Sequence, residues 1–155
     1  MSVEKFSRIF DGLKEAYGTF RIEKKQSNGK SAGKAAIIRE PRTKALWEGH
    51  LSGKGVSVGV IPINENNSSK WGCIDVDQYP LDHLGLITKI RKLKLPLVVC
   101  RSKSGGAHCF LFTKDWIEAR EMQASLKSMS AALGYGESEI FPKQIKLHLD
   151  RGDVG

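Results

Sequence analysis

From about residue 70 to residue 150 the chain runs through strand-like and helix-like hydrophobic periods in one definite order. Residues 71–77 alternate as a strand, and 80–94 follow at helical spacing with Leu84, Ile87, Ile90 and Leu93 expected inward. Residues 96–101 read as a buried apolar strand, 102–106 as a Gly/Ser turn and 107–113 as another strand. Residues 115–133 read as a helix with a stripe of Ala119, Met122, Leu126, Met129 and Leu133. Asp115 with Glu118 resembles a capping box, and Gly134 a C-cap. Residues 139–141 and 145–149 are strand-like around Pro142. The order βαββαβ predicts an α+β fold with the split βαβ pattern of ferredoxin-like and RRM-like sheets. In that topology the first and third strands lie at the centre, helices cover one face, and the other face is free for ligands.

The first half is less regular. Residues 3–17 read as an amphipathic helix carrying Phe6, Ile9, Phe10, Leu13 and Tyr17, with Ser2 to cap it and Gly18 to end it. Two short strands, 18–24 and 35–39, flank a polar basic loop over 25–34. A short helix is expected over 41–51, a strand over 56–63 and a polar turn over 64–69. With 155 residues the chain is read as a single catalytic-sized domain: an N-terminal αβ subdomain (1–68) packed beside an RRM-like subdomain (69–155). The segment Gly29-Lys30-Ser31 is not a P-loop, because that motif needs a glycine where Lys24 stands.

The first strand of the regular half carries Asp75 and Asp77. Residues two apart on a strand share a face, so these carboxylates project together about 6–7 Å apart, while Ile74 and Val76 point into the core. Side-by-side carboxylates repel, and burial worsens the repulsion. A divalent cation with oxygen ligands offsets it directly. The chain as a whole is basic, with a formal net charge of +8 and a pI near 9.5. Carboxylates inside a cationic surround suit phosphate chemistry and a polyanionic partner.

The third strand starts after Arg101, Ser102, Lys103, Ser104, Gly105 and Gly106. A Gly-rich turn lets backbone N–H groups approach an anion. Ser104 and Gly106 are therefore candidate nucleotide contacts, with Arg101 and Lys103 as flanking positive charges. Cys109 and Leu111 are expected to face the helices, which turns His108 to the open side with Asp75 and Asp77. Glu139 begins the fourth strand and is the candidate third acidic ligand; Glu137 shares its parity and competes. Lys143 is a candidate phosphate contact. His50, His83 and His148 take the ordinary structural reading. The three cysteines form no CxxC pair and read as reduced, buried thiols in a cytoplasmic compartment. No apolar run is long enough to span a membrane, and no secretory leader is apparent.

The segments CIDVD, SGGAHCF and SEIFPKQ, in this order, resemble the three motifs of the archaeo-eukaryotic primase superfamily, in particular the primase-polymerases of phages, plasmids and other mobile elements. The preceding GVSVGVIPI also fits, and the resemblance spans roughly residues 45–145. It implies a DNA primase or DNA polymerase: a nucleotidyltransferase that joins NTP or dNTP units to a 3′-hydroxyl on a DNA template. Asp75, Asp77 and Glu139 match the Mg²⁺- or Mn²⁺-binding carboxylates of a two-metal site, and His108 matches the histidine on the incoming nucleotide's phosphates. Relatives usually continue past the third motif, so the resemblance implies a piece of a longer primase or primase-helicase, with a helicase as a partner.

Two other readings compete. A non-catalytic RRM-like nucleic-acid module needs exposed aromatics on the central strands. The first strand instead puts Cys73, Asp75 and Asp77 there; Phe110 and Phe112 are expected to pack against the N-terminal half. A replication-initiator endonuclease needs a His-x-His pair, which the sequence lacks.

Overall fold

The computed structural model describes residues 2–25 and 31–148. Its elements are α1 (Val3–Ile9), β1 (Tyr17–Lys25), β2 (Ser31–Ile38), α2 (Lys44–Ser52), β3 (Ser68–Val76), α3 (His83–Lys92), β4 (Leu97–Arg101), β5 (Ala107–Glu118), α4 (Ala119–Leu133) and β6 (Glu139–Phe141). β1 and β2 form an antiparallel hairpin; β3 to β6 form an antiparallel sheet in the order β4-β5-β3-β6. The second half is thus the expected α+β βαββαβ sheet, with β3 and β5 central.

One face of that sheet is a helix-covered core. Ile74 and Val76 of β3 and Ala107, Cys109 and Leu111 of β5 pack with Leu86 and Ile90 of α3 and with Met122, Leu126 and Leu133 of α4. The α4 stripe is as expected, and Gly134 ends the helix at a φ of +84°. The capping box does not form, because residues up to Glu118 stay in β5 and no side chain caps α4. In α3 the inward pair is Leu86 and Ile90, one turn apart; Leu84 is 77% exposed and Leu93 also faces out. The helix is capped by Asp82, whose side chain accepts from Gly85 N. β4 is an edge strand with no helix over its second side, so Val98 and Cys100 are exposed rather than buried.

The first half departs further from its sequence reading. α1 is capped by Ser2 as expected but stops at Ile9. Beyond it the backbone serves tertiary bonds: Asp11 O accepts from Trp71 Nε1 (2.7 Å), and Leu13 N donates to Ile61 O (2.9 Å). Leu13 and Ala16 instead join Ile61, Ile63 and Ala119 in a second small core. Residues 31–34 belong to β2, which shortens the expected loop; residues 26–30, the centre of that basic stretch, lie outside the described residues. Residues 56–63 are not a strand: they meet β1 at one Gly18–Gly59 bridge and through Ser57 Oγ, which accepts from Phe20 N and donates to Phe20 O, and Pro62 has no N–H to continue a ladder. Residues 145–148 likewise make no strand, and 149 is outside the described residues. Among the described residues no helix is long and apolar enough to cross a membrane.

Candidate active site

Strand register builds the site. Asp75 pairs with His108 on β5 and with Glu139 on β6, and His108 pairs with Cys100 on β4. Directly opposed residues of antiparallel strands share a face. Cys100, His108, Asp75 and Glu139 therefore form one row across four strands, on the side away from α3 and α4. Asp77 lies just past the end of β3.

The electrostatics of the row centre on Asp75. His108 Nε2 stands 3.4 Å from Asp75 Oδ1, close enough for charge attraction. The alignment is not that of a hydrogen bond, so this buried oxygen has no hydrogen-bond partner among the described residues. Burial is the main influence lifting the Asp75 carboxyl above the usual aspartate range; His108 opposes the rise, while the negative charges of Asp77 and Glu139 add to it. The other two carboxylates have donors of their own. Glu139 binds Lys143 Nζ at 2.6 Å, and Asp77 Oδ1 accepts from Tyr79 Oη at 2.8 Å. Among the described residues no three His, Cys, Asp or Glu side chains converge as a ready-made metal cage. The expected convergence is thus a row of neighbours in which Asp77 and Glu139 each take a nearby donor while Asp75 Oδ1 takes none.

The Gly-rich turn sits at the end of β3. Gly105 has a φ of +99°, a conformation open to glycine. A Cβ on Gly106 would stand 2.3 Å from Val76 O, so only glycine lets the turn seat against β3. The Gly106 carbonyl accepts from Ser102 N (2.9 Å) and is 3.1 Å from His83 Nε2, which gives His83 its structural role. Gly106 thus seats the turn, and Ser104 is the exposed polar group on it. Tyr79 Oη links Ser104 Oγ (2.7 Å) to Asp77, and Ser102 Oγ follows 3.3 Å beyond Ser104. A continuous polar chain therefore joins an acidic residue to the candidate anion turn.

The remaining candidates separate. Lys143 lies over the Phe141 ring at 5.0 Å, beside Glu139. Arg101 pairs with Ala107, which gives it the parity of the helix face rather than that of His108. Lys103 lines a depression of about 720 Å³ with Thr19, Phe20, His50 and Val56. Glu137 borders a depression of about 480 Å³ together with Asp75, Asp77 and Glu139, so both acidic candidates on this segment reach the same region.

The open face is only partly open. Phe10 packs edge-on against Trp71, Phe110 and Phe112, with ring centroids 5.2, 5.3 and 5.6 Å away. Phe110 and Phe112 are thereby half-buried against the N-terminal half, which they were expected to meet. Beneath the row, burial pushes the Cys73 thiol far up and the Cys109 thiol up to about 11, so neither is a reactive thiolate. Sequence reasoning missed Tyr79, Ser102 and Cys100. Tyr79 stood in a segment, Asp77-Gln-Tyr-Pro80, that reads equally well as a plain turn, and only the fold shows what its hydroxyl reaches.

Comparison with curated proteins finds no match. A model of the archaeo-eukaryotic primase domain of TOTE conflict systems matches residues 13–148. That stretch contains both sheets, all four residues of the polar row and the Gly-rich turn. The chain therefore belongs to the archaeo-eukaryotic primase domain family of TOTE conflict systems, within the primase-like nucleotidyltransferases.

Proposed function

We propose that this chain catalyses metal-dependent, template-directed nucleotidyl transfer, as a DNA primase or polymerase that joins NTP or dNTP units to a 3′-hydroxyl. The observation that carries the reading is the buried Asp75 oxygen with no hydrogen-bond partner, set between Asp77, Glu139 and an imidazole. A buried polar atom left unsatisfied is costly, and its retention calls for a functional reason. The donor set fits Mg²⁺ or Mn²⁺, which prefer carboxylate oxygens. Asp75 and Asp77, with Glu139, would hold the ions; when bound, these supply Lewis-acid stabilisation of phosphate oxygens and activation of the attacking hydroxyl.

The chain's own groups have separate tasks. The His108 ring stands with Nε2 3.4 Å from Asp75 Oδ1, and its other nitrogen, Nδ1, would meet a phosphate oxygen. Ser104 and the turn backbone bind the same phosphates, and Tyr79 ties their position to Asp77. Lys143 supplies positive charge beside Glu139. The net charge of +8 favours a DNA template along the surface. Catalysis on this plan rests on positioning and charge neutralisation, with no covalent intermediate. The competing module reading is disfavoured because Phe10 packs edge-on against both Phe110 and Phe112.

Titration of a nucleoside triphosphate with and without Mn²⁺, for the native protein and for Asp75→Ala/Asp77→Ala, tests this. Affinity should rise with Mn²⁺ in the native protein alone. Equal affinity in both proteins, whatever the Mn²⁺ concentration, would refute the reading.

A further inference from the structure

Among the described residues β4 is the outermost strand of its sheet, bonded to β5 on one side only. Ser102 N donates to Gly106 O at 2.9 Å, which makes these two a hydrogen-bonded pair where the β4–β5 ladder meets its turn. Hydrogen-bonded pairs alternate with non-bonded ones along an antiparallel ladder. Counting back through the register, Cys100 with His108 and Val98 with Phe110 direct their backbone groups at one another. The N–H and C=O groups of Leu97, Val99 and Arg101 therefore point away from the sheet. None of them has a hydrogen-bond partner among the described residues. A row of outward donors and acceptors is a template for a further strand. Val98, 53% exposed, adds an apolar contact at the middle of the five-residue strand.

Charge decides what can use this edge. Residues 83–114 hold seven Lys or Arg and no Asp or Glu. Arg91, Lys92 and Lys94 are exposed just before β4, and Arg101 and Lys103 at its far end. None of these five is in an ion pair among the described residues. A second copy of the chain laid antiparallel along β4 would set Lys92 and Lys94 against Arg101 and Lys103, and opposed like charges destabilise. Nucleic acid would answer the cations, but a phosphate donates nothing to the outward carbonyls and matches no apolar centre. A peptide strand with carboxylates at both ends answers all three features. We propose that β4 is a docking edge for an extended acidic segment of a partner protein, which adds to the sheet as a strand with its carboxylates on the flanking cations. The docking requires nothing of the nucleotidyl-transfer reading, so either can fail alone.

The probe is the end-blocked peptide Asp-Glu-Val-Thr-Val-Glu-Asp, titrated calorimetrically into the full chain while amide exchange is read residue by residue by NMR. With the peptide at about ten times its dissociation constant, exchange at Leu97, Val99 and Arg101 should slow about 10-fold. No binding, or binding without protection of these three amides, would overturn the proposal. N-methylation of alternate peptide amides should abolish binding in one phase and spare it in the other, because only one set faces β4. Equal behaviour of the two phases would reduce the contact to charge attraction and overturn it. Lys92→Ala/Lys94→Asn should weaken the peptide by about 3- to 10-fold, the scale of two exposed ion pairs; Asn tolerates the positive φ of position 94. The neutral peptide Asn-Gln-Val-Thr-Val-Gln-Asn on the native protein should lose at least as much, a comparison that no folding defect can disturb. Undiminished affinity in either case would refute the acidic partner. An oligothymidylate that slows exchange at the same three amides where the peptide does not would assign the edge to nucleic acid and likewise overturn the proposal.

Discussion

Strand β3 has two faces with opposite fates. On the helix side Ile74 and Val76 are at most 1% exposed, sealed by Cys109, Leu111, Met122 and Leu126. On the other side Trp71 and Cys73 are also buried, but the next residue of that parity is Asp75, whose Oδ1 is buried without a hydrogen bond. Around Ile74 and Val76 the first face buries apolar side chains. The other keeps a carboxylate in surroundings that penalise its charge, beside two more carboxylates. Stability and function are thus divided between two sides of a single strand, and the surplus from the first side offsets the cost of the second.

Substitution on each side should break this symmetry in opposite ways. Asp75→Ala should lower nucleotidyl transfer on the order of 10³-fold, about 4 kcal/mol of transition-state stabilisation, with no loss in melting temperature. Leu126→Ala should cost about 2–5 kcal/mol of stability, measured by urea unfolding, with nucleotide affinity of the folded protein retained. A drop in stability for Asp75→Ala as large as that for Leu126→Ala would show that the faces are not divided. Gly72→Ala sharpens the comparison, because a Cβ there would stand 2.5 Å from Leu126 Cδ1, 2.9 Å from Met122 Cγ and 2.6 Å from Phe141 O. The two side chains can yield, but the carbonyl belongs to β6, the strand that begins with Glu139. The overpacking should cost about 1–3 kcal/mol and, unlike Leu126→Ala, weaken Mn²⁺-dependent nucleotide binding; unchanged binding would separate β6 placement from the site.

The helix-side face was readable because its information is local. Alternation through Ile74 and Val76, the α4 stripe and the Gly134 cap each name an element from adjacent residues, and the order of elements then set the topology. The row of Asp75, His108 and Glu139 followed from that topology and strand parity alone. What was not readable depends on partners distant in sequence. The end of α1 is set by Trp71 and Ile61 taking backbone groups of residues 11–13. The exposure of Cys100 depends on β4 being an edge, and the parity of Arg101 on its pairing with Ala107. Tyr79 and His50 gain their placements only from contacts with Ser104 and Val58. Sequence also supplied the three acidic residues but not that Asp77 and Glu139 would hold donors while Asp75 Oδ1 would not.

The smallest predicted effect isolates the charge on Asp75. Its carboxyl is held above the usual range by burial first, then by Asp77 and Glu139, so the folded state binds its proton more tightly than the unfolded chain does. Such a group favours the fold at low pH. That contribution fades as pH rises through the ordinary aspartate value near 4 and on toward the raised folded value, above which the ionised carboxylate is a net cost. Asp75→Asn removes the titration while keeping shape and size. The variant should therefore melt close to the native protein at low pH and above it at neutral pH, by roughly 1 kcal/mol given partial exposure. Adding Mn²⁺ should stabilise the native protein and not the variant, which closes the gap. A stability difference that stays constant with pH would mean that the cost on this face is one of packing, and the contrast between the two sides of β3 would lose its electrostatic basis.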